Sequence, residues 1–206
     1  FRSGCLSCNN MPNIKGRESF AGASYHTGGW PHEGVDFSGK RVGIIGTGSS
    51  GIQSIPVIAK TAGHLTVMQR TAQFSVPARN APLTPEFREW VKANFPEIKR
   101  TMHSTTNGHS FTIQDRSAFD VSDEERMAIY EAAWEKGGLQ FRASFRDILS
   151  NKAANDTAAA FLKEKIRSIV KNPETAAMLS DIDHPYAAKR PPIDRSEEHT
   201  SELQSH

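Results

Sequence analysis

Apolar positions change their spacing several times along this chain. From Lys40 to Ile45 a short run with Val42, Ile44 and Ile45 reads as a strand. Ile52, Ile55, Ile58, Ala59 and Ala62 then fall at helical spacing, and Gly63 closes that pattern. Leu65 to Met68 reads as a second strand. Strand, helix and strand in this order predict a βαβ unit. Pro56 lies inside the helical pattern, where it removes a backbone bond and predicts a bend.

After Pro82 the pattern becomes helical. Thr84-Pro85-Glu86 reads as an N-cap followed by Pro in the first turn. Ser122 to Glu125 is a capping box that opens a helix to about Lys136, closed by Gly137-Gly138. A further segment runs from about Gln140 to Leu149. Asn155 is the expected cap of a helix through Val170, with Phe161, Leu162, Ile166, Ile169 and Val170 as its stripe. Asn172-Pro173-Glu174 starts a short last helix. Three or four helices therefore separate the βαβ unit from a Pro-rich exit at Lys189 to Ile193. Asn9 to Gly22, rich in Asn, Gly and Pro, reads as connector.

Composition narrows the class without naming it. The chain has 206 residues, 37% hydrophobic and 23% charged, an ordinary globular balance. No apolar run approaches the roughly 18 residues of a membrane span. The net charge of +2 gives no nucleic-acid footprint. Arg195 to His206 is polar, lacks an apolar stripe and resembles the translation of a sequencing-adapter oligonucleotide. It is read as a non-native tail and set apart from the fold. Cys5-x-x-Cys8, with His26 and His32, formally offers a zinc set. The 17 residues between Cys8 and His26 exceed the usual finger spacing, so no metal site is assigned. The two cysteines read as small hydrophobes.

The chemistry begins between the strands. Gly46-Thr47-Gly48-Ser49-Ser50-Gly51 has the spacing Gly-x-Gly-x-x-Gly, follows a strand and opens a helix. In that context the first glycine permits a tight turn, the second admits a pyrophosphate and the third lets helix and strand pack closely. The helix N-terminus offers free N–H groups and a partial positive charge. Dinucleotide sites for NAD place an acid at the end of the second strand. Here Arg70 and Thr71 stand there, with Arg70 24 residues after Gly46. A guanidinium can clamp a 2′-phosphate, so the expected dinucleotide is NADPH.

Upstream of the loop stands Phe20-Ala-Gly22-Ala-Ser-Tyr-His26-Thr-Gly-Gly-Trp30-Pro31. It fits the Baeyer–Villiger monooxygenase signature, Phe-x-Gly-x-x-x-His-x-x-x-Trp-Pro/Asp, at every fixed position. The Gly46 to Gln53 loop, Gln69-Arg70-Thr71, Ser75 to Asn80, and Asp183 to Arg190 also resemble that family. The resemblance covers essentially residues 4–194 and looks closest to the cyclohexanone and phenylacetone branch.

The resemblance implies a flavoprotein with FAD and NADPH, two dinucleotide-binding domains, and a ketone and O₂ as small-molecule substrates. One oxygen atom of O₂ enters beside the ketone carbonyl to give an ester or lactone. It implies that Arg190 is the catalytic arginine, stabilising developing negative charge and aligning the nicotinamide. Gly46, Thr47, Gly48, Ser49, Ser50, Gly51, Gln53, Arg70, Thr71 and Lys189 are the implied cofactor-binding residues. Phe20, Gly22, His26, Trp30 and Pro31 are implied to form a linker that couples domain motion to catalysis. It also implies a cytoplasmic enzyme. The chain carries no signal for an oligomeric state.

The expected fold class is α/β, a Rossmann-type NADPH-binding βαβ unit with a helical insertion, as a fragment of a two-domain flavoprotein. Residues 1–38 are expected to end the FAD portion and carry the linker, and 39–82 to begin the NADPH domain. Residues 83–182 form the insertion, 183–194 return to the NADPH domain, and 195–206 are the tail. No glycine loop for FAD precedes the signature, so this chain alone is expected to be inactive and its FAD site to lie mostly elsewhere. Two readings compete: a flavin monooxygenase that oxygenates nitrogen or sulfur, and an inactive NADP-binding fragment. Trp30-Pro31 and Lys189-Arg190 favour Baeyer–Villiger chemistry over the first.

Overall fold

The structure, a computed structural model, describes residues 9–106 and 108–194. Cys5, Cys8 and the tail from Arg195 lie outside the described residues.

β1 (Arg41–Ile45) and β2 (His64–Met68) pair in parallel, Arg41 opposite His64 and Ile45 opposite Met68. Parallel strands need a crossover, and α1 (Ser49–Ala59) supplies it. Period-two alternation turns Val42, Ile44 and Leu65 toward α1, where they pack with Ile55, Ile58 and Phe37. The expected βαβ unit is therefore present. Its helix stops at Ala59, short of the Ala62 that the apolar spacing suggested. Ala62 instead pairs with Ser38 in an isolated bridge, and the Gly63 N–H donates to the Lys40 carbonyl (2.9 Å). The Gly39 N–H donates to the Thr61 carbonyl (3.1 Å), so bonds on either side of Ala62 turn the chain onto the 38–40 segment while the Ala62 N–H still donates to Ile58. Pro56 lies inside α1 and is buried, placing an apolar ring where the helix gives up a backbone donor.

The rest of the described chain is mostly helical. α2 (Pro85–Ser104) is capped by Thr84, whose hydroxyl accepts the Phe87 N–H at 3.2 Å. It buries no residue, and Phe87 and Trp90 stack on its surface at 5.9 Å. α3 (Asp123–Lys136) begins at the expected cap, with Ser122 Oγ accepting the Glu125 N–H, and ends at Gly137 in the left-handed region (φ 70°). A short 3₁₀ turn, Gly138–Ala143, occupies the start of the segment expected from Gln140, and irregular turns complete it.

α4 (Lys152–Ile169) corrects the expected cap. Asn151, not Asn155, is the N-cap, and its side chain accepts the Ala153 N–H. Asn155 lies one turn inside the helix and is buried, so its amide serves a tertiary contact. α5 (Pro173–Ser180) is capped by Asn172 as expected.

The larger core gathers Tyr130, Phe141, Phe145, Ile148, Phe161 and Leu162 from the helical part. Phe74 and Val76, which precede that part, and Tyr186, which follows it, belong to the same core. Val76 lies in β3 (Val76–Pro77), which pairs in parallel with β4 (Ile193–Asp194). The chain leaves at β3, builds the helices, and returns to the same place. Among the described residues no helix is long and apolar enough to cross a membrane.

Candidate functional site

The glycine loop sits between the end of β1 and the start of α1. Gly46 takes φ 98°, a conformation costly for any residue with a Cβ, and its N–H donates to the Met68 carbonyl at 2.9 Å. That bond ties the loop to the end of β2. A Cβ on Gly51 would lie 3.1 Å from the Gly46 carbonyl carbon and closer still to its oxygen. The first turn of α1 can lie on the loop only because Gly51 has no side chain.

Gly48 differs. A Cβ there would meet nothing within 4 Å, and Gly48 caps α1 without a side-chain hydrogen bond. The first N–H groups of a helix have no intrahelical partner. The loop therefore presents open space in front of free donors and the positive end of a helix dipole, which is what a phosphate requires. Ser49 and Ser50 are exposed beside this opening. Thr47 Oγ1 accepts a hydrogen bond from Gln69 Nε2 at 2.8 Å, bridging the loop to the residue before Arg70. Gln53 is exposed one turn further along α1.

Arg70 is exposed just beyond β2 and Thr71 is half-buried. The exit segment lies close by. Gln73 Nε2 donates to the Arg190 carbonyl (3.3 Å), and a His184 ring nitrogen lies 3.1 Å from the Ala72 carbonyl oxygen. β4 pairs with β3 directly after Arg190. Positions separated by more than a hundred residues, 72–73 and 184–190, thus meet just after Arg70 and Thr71 in the chain. Arg70, Lys189 and Arg190 are all exposed, and none makes an ion pair among the described residues. Three cations without carboxylate partners leave their charge available to an anionic ligand.

The Phe20–Pro31 stretch is packed by its own members. The His26 side chain accepts the Gly28 N–H at 3.0 Å and caps a short 3₁₀ turn, Thr27–Gly29. Trp30 lies between Tyr25 (5.8 Å) and Phe37 (6.0 Å), and Phe37 packs on the small core beneath α1. The Phe20 ring covers Gly22, where a Cβ would come within 2.7 Å of it. Pro31 is half-buried. Among the described residues no hydrogen bond, ion pair or ring contact joins this stretch to Arg70 or Arg190.

Sequence reasoning missed several residues that shape the site. Gln73 and His184 are ordinary polar residues in the sequence, and only the return of the chain gives them partners. Asn155 has the residue type of a cap, but burial gives its amide to Ile148 and Tyr186 instead. Burial also pushes the Tyr186 phenol above the ordinary tyrosine range, with Arg142 opposing the shift.

No family model matches the chain. It is 45% identical over 191 residues to a Baeyer–Villiger monooxygenase of Pseudooceanicola batsensis, covering 91% of this chain and 34% of that protein. A cyclohexanone 1,2-monooxygenase of Acinetobacter is 44% identical, with 93% and 35% covered. A phenazine N-monooxygenase of Lysobacter antibioticus is also 44% identical, with 91% and 35% covered. Among solved structures, a steroid monooxygenase bound to NADP superposes with a TM-score of 0.88 at 47% identity, covering 94% of this chain and 37% of that one. The monooxygenase OTEMO in complex with FAD and NADP gives a TM-score of 0.90 at 41% identity, with 96% and 38% covered. The chain thus spans about a third of the length of these proteins.

Proposed function

We propose that this chain, which belongs with the Baeyer–Villiger monooxygenases over about a third of their length, is the NADPH-binding portion of an FAD- and NADPH-dependent monooxygenase that converts a ketone and O₂ to an ester or lactone. In this reading residues 39–82 begin a Rossmann-type NADPH domain, 83–182 are inserted into it, and 183–194 return to it. Residues 1–38 carry the linker to the FAD domain, and the enzyme is cytoplasmic.

The observation that carries the reading is the meeting of two distant segments beside the glycine loop, one bearing Arg70-Thr71 and the other Lys189-Arg190, joined through Gln73. The open space at Gly48 and the free N–H groups of α1 fit a pyrophosphate. Arg70 and Lys189 supply cations, and Thr71 a hydroxyl, for the 2′-phosphate that distinguishes NADPH from NADH. Each charge-assisted hydrogen bond is worth about 1.5–3 kcal/mol.

When bound, the two cofactors supply hydride transfer and the activation of O₂. This chain's residues bind, orient and hold charge. The loop fixes the pyrophosphate, and Arg70 with Lys189 fixes the ribose end. Arg190 extends a permanent cation from a segment pinned at its own carbonyl, and it stabilises negative charge that develops during oxygen transfer. The Trp30–Phe37 contact joins the linker to the core beneath α1, so motion of the linker is transmitted to the helix that holds the phosphates.

The test uses the full-length enzyme that carries this segment. It should oxidise NADPH in a ketone-dependent way and release an ester or lactone. Arg190→Ala should abolish the ester while reduction of the flavin by NADPH persists. Normal ester yield from that variant would remove Arg190 from the chemistry. The 44% identity to a phenazine N-monooxygenase supports a second reading, oxygenation of a ring nitrogen. Product analysis with a ketone and with an N-heteroaromatic substrate in parallel separates the two.

A further inference from the structure

Asn155 is buried, with 6% of its surface exposed, one turn inside α4. Its amide nitrogen donates to the Ile148 carbonyl (2.7 Å) and to the Tyr186 carbonyl (2.9 Å). Its amide oxygen accepts the Tyr186 N–H at 2.8 Å. One side chain therefore pairs with both backbone groups of a residue 31 positions away, as a neighbouring strand would. The Tyr186 ring is held edge-on by Phe74 (5.9 Å) and Phe141 (5.5 Å). Residue 186 is thus a fixed point on both its backbone and its side chain.

The chain between this point and Arg190 is short and bent. Ala187 takes φ 64°, a left-handed conformation that a residue with a Cβ adopts only when its surroundings hold it there. The Ala188 N–H donates to the Pro185 carbonyl (3.1 Å), which closes a turn over the bend. At the far end the Arg190 carbonyl is tied to Gln73. Three residues, 187–189, span the gap between the two anchors. A shift of the Tyr186 backbone has little chain in which to dissipate before it reaches Lys189 and Arg190.

We propose that Asn155, a residue of the helical insertion, is the positioning residue for the Lys189–Arg190 pair, acting through the backbone of Tyr186. It touches neither substrate nor cofactor. It sets where the two cations stand by holding the start of the segment that presents them. The proposal rests on the reading of Arg190 given above.

The experiment uses the full-length flavoenzyme with Asn155→Ala, and with Asn155→Ser as a milder change whose shorter hydroxyl cannot replace all three bonds of the amide. The first readout needs no turnover. Trypsin can cleave the Lys189–Arg190 bond, and the rate is followed by mass spectrometry on FAD-loaded protein. Both variants should be cut there at least about tenfold faster at unchanged FAD content, with the other tryptic sites unaffected. The second readout is ester formation, whose kcat should fall about ten- to a hundredfold, the scale expected when a catalytic group is misplaced by about 1 Å.

Uniform acceleration of proteolysis with loss of FAD would make Asn155 a general stabiliser and overturn the proposal. If Arg190→Ala impairs ester formation and neither Asn155 variant does, only the positioning role falls. If Arg190→Ala forms ester normally, the proposal falls with its premise, and the cause is identified.

Discussion

The two later glycines of the loop should fail differently when each is replaced by alanine. At Gly51 the added Cβ meets main chain, 3.1 Å from the Gly46 carbonyl carbon and nearer its oxygen. That carbonyl cannot easily retreat, because the Gly46 N–H is bonded to Met68 and its φ of 98° suits glycine. Relief must come from α1 moving off the loop. Overpacking of this kind costs about 1–3 kcal/mol, and it disturbs the small core of Ile55, Ile58 and Leu65. At Gly48 the added Cβ meets nothing within 4 Å, and the backbone (φ −74°, ψ −173°) suits any residue. Gly48→Ala should therefore change stability by no more than about 0.5 kcal/mol. It fills the space that the proposed function gives to the pyrophosphate. Loss of one charge-assisted hydrogen bond costs about 1.5–3 kcal/mol, so NADP⁺ affinity should fall about ten- to a hundredfold. Calorimetric titration with NADP⁺ and thermal unfolding of the full-length variants separate the two effects. Gly48→Ala should bind poorly and melt normally, whereas Gly51→Ala should melt early. Wild-type affinity in Gly48→Ala would show that no phosphate approaches that glycine, and the assignment of the loop would be wrong.

Three further outcomes follow from single side chains. Arg70→Ala should raise the KM for NADPH about ten- to a hundredfold and leave that for NADH nearly unchanged; equal losses would refute the 2′-phosphate assignment. Burial of Asp147 opposes its ionisation, but Ser117 Oγ–H and the Ala118 N–H donate to its carboxylate and Arg146 lies near, so its pKa is lowered below the ordinary value. A lowered carboxylate contributes stability that is present above the unfolded pKa of about 3.9 and is lost as pH falls through the folded value. The advantage of wild type over Asp147→Asn in urea midpoint should therefore shrink on going from about pH 6 to about pH 3, and a constant difference would refute the assignment. Ser122→Ala removes the acceptor for the Glu125 N–H and should destabilise α3 by about 1 kcal/mol, read as faster amide exchange in its first turn.

Local rules were enough for much of this protein. The βαβ unit, the loop opening α1, and the caps at Thr84, Ser122 and Asn172 depend on residues a few positions apart, so their pattern is legible in the sequence. The proposed reading of the loop as a dinucleotide cradle, with Arg70 as a cation in place of an acid, also comes from spacing, because a strand fixes where its last residues stand. The tertiary structure decided what spacing cannot encode. It moved a cap from Asn155 to Asn151 and gave the Asn155 amide to Tyr186, since a buried amide goes where three backbone groups need partners. It ended α1 at Ala59, where the Thr61 carbonyl and the Gly63 N–H are bonded to Gly39 and Lys40. It brought Arg190 to Gln73 and β4 to β3 across a helical excursion of about a hundred residues. No periodicity reports such a return; the shared core of Phe74, Tyr186 and the insertion's aromatic residues makes it the low-energy arrangement, because only there are both ends of the excursion buried.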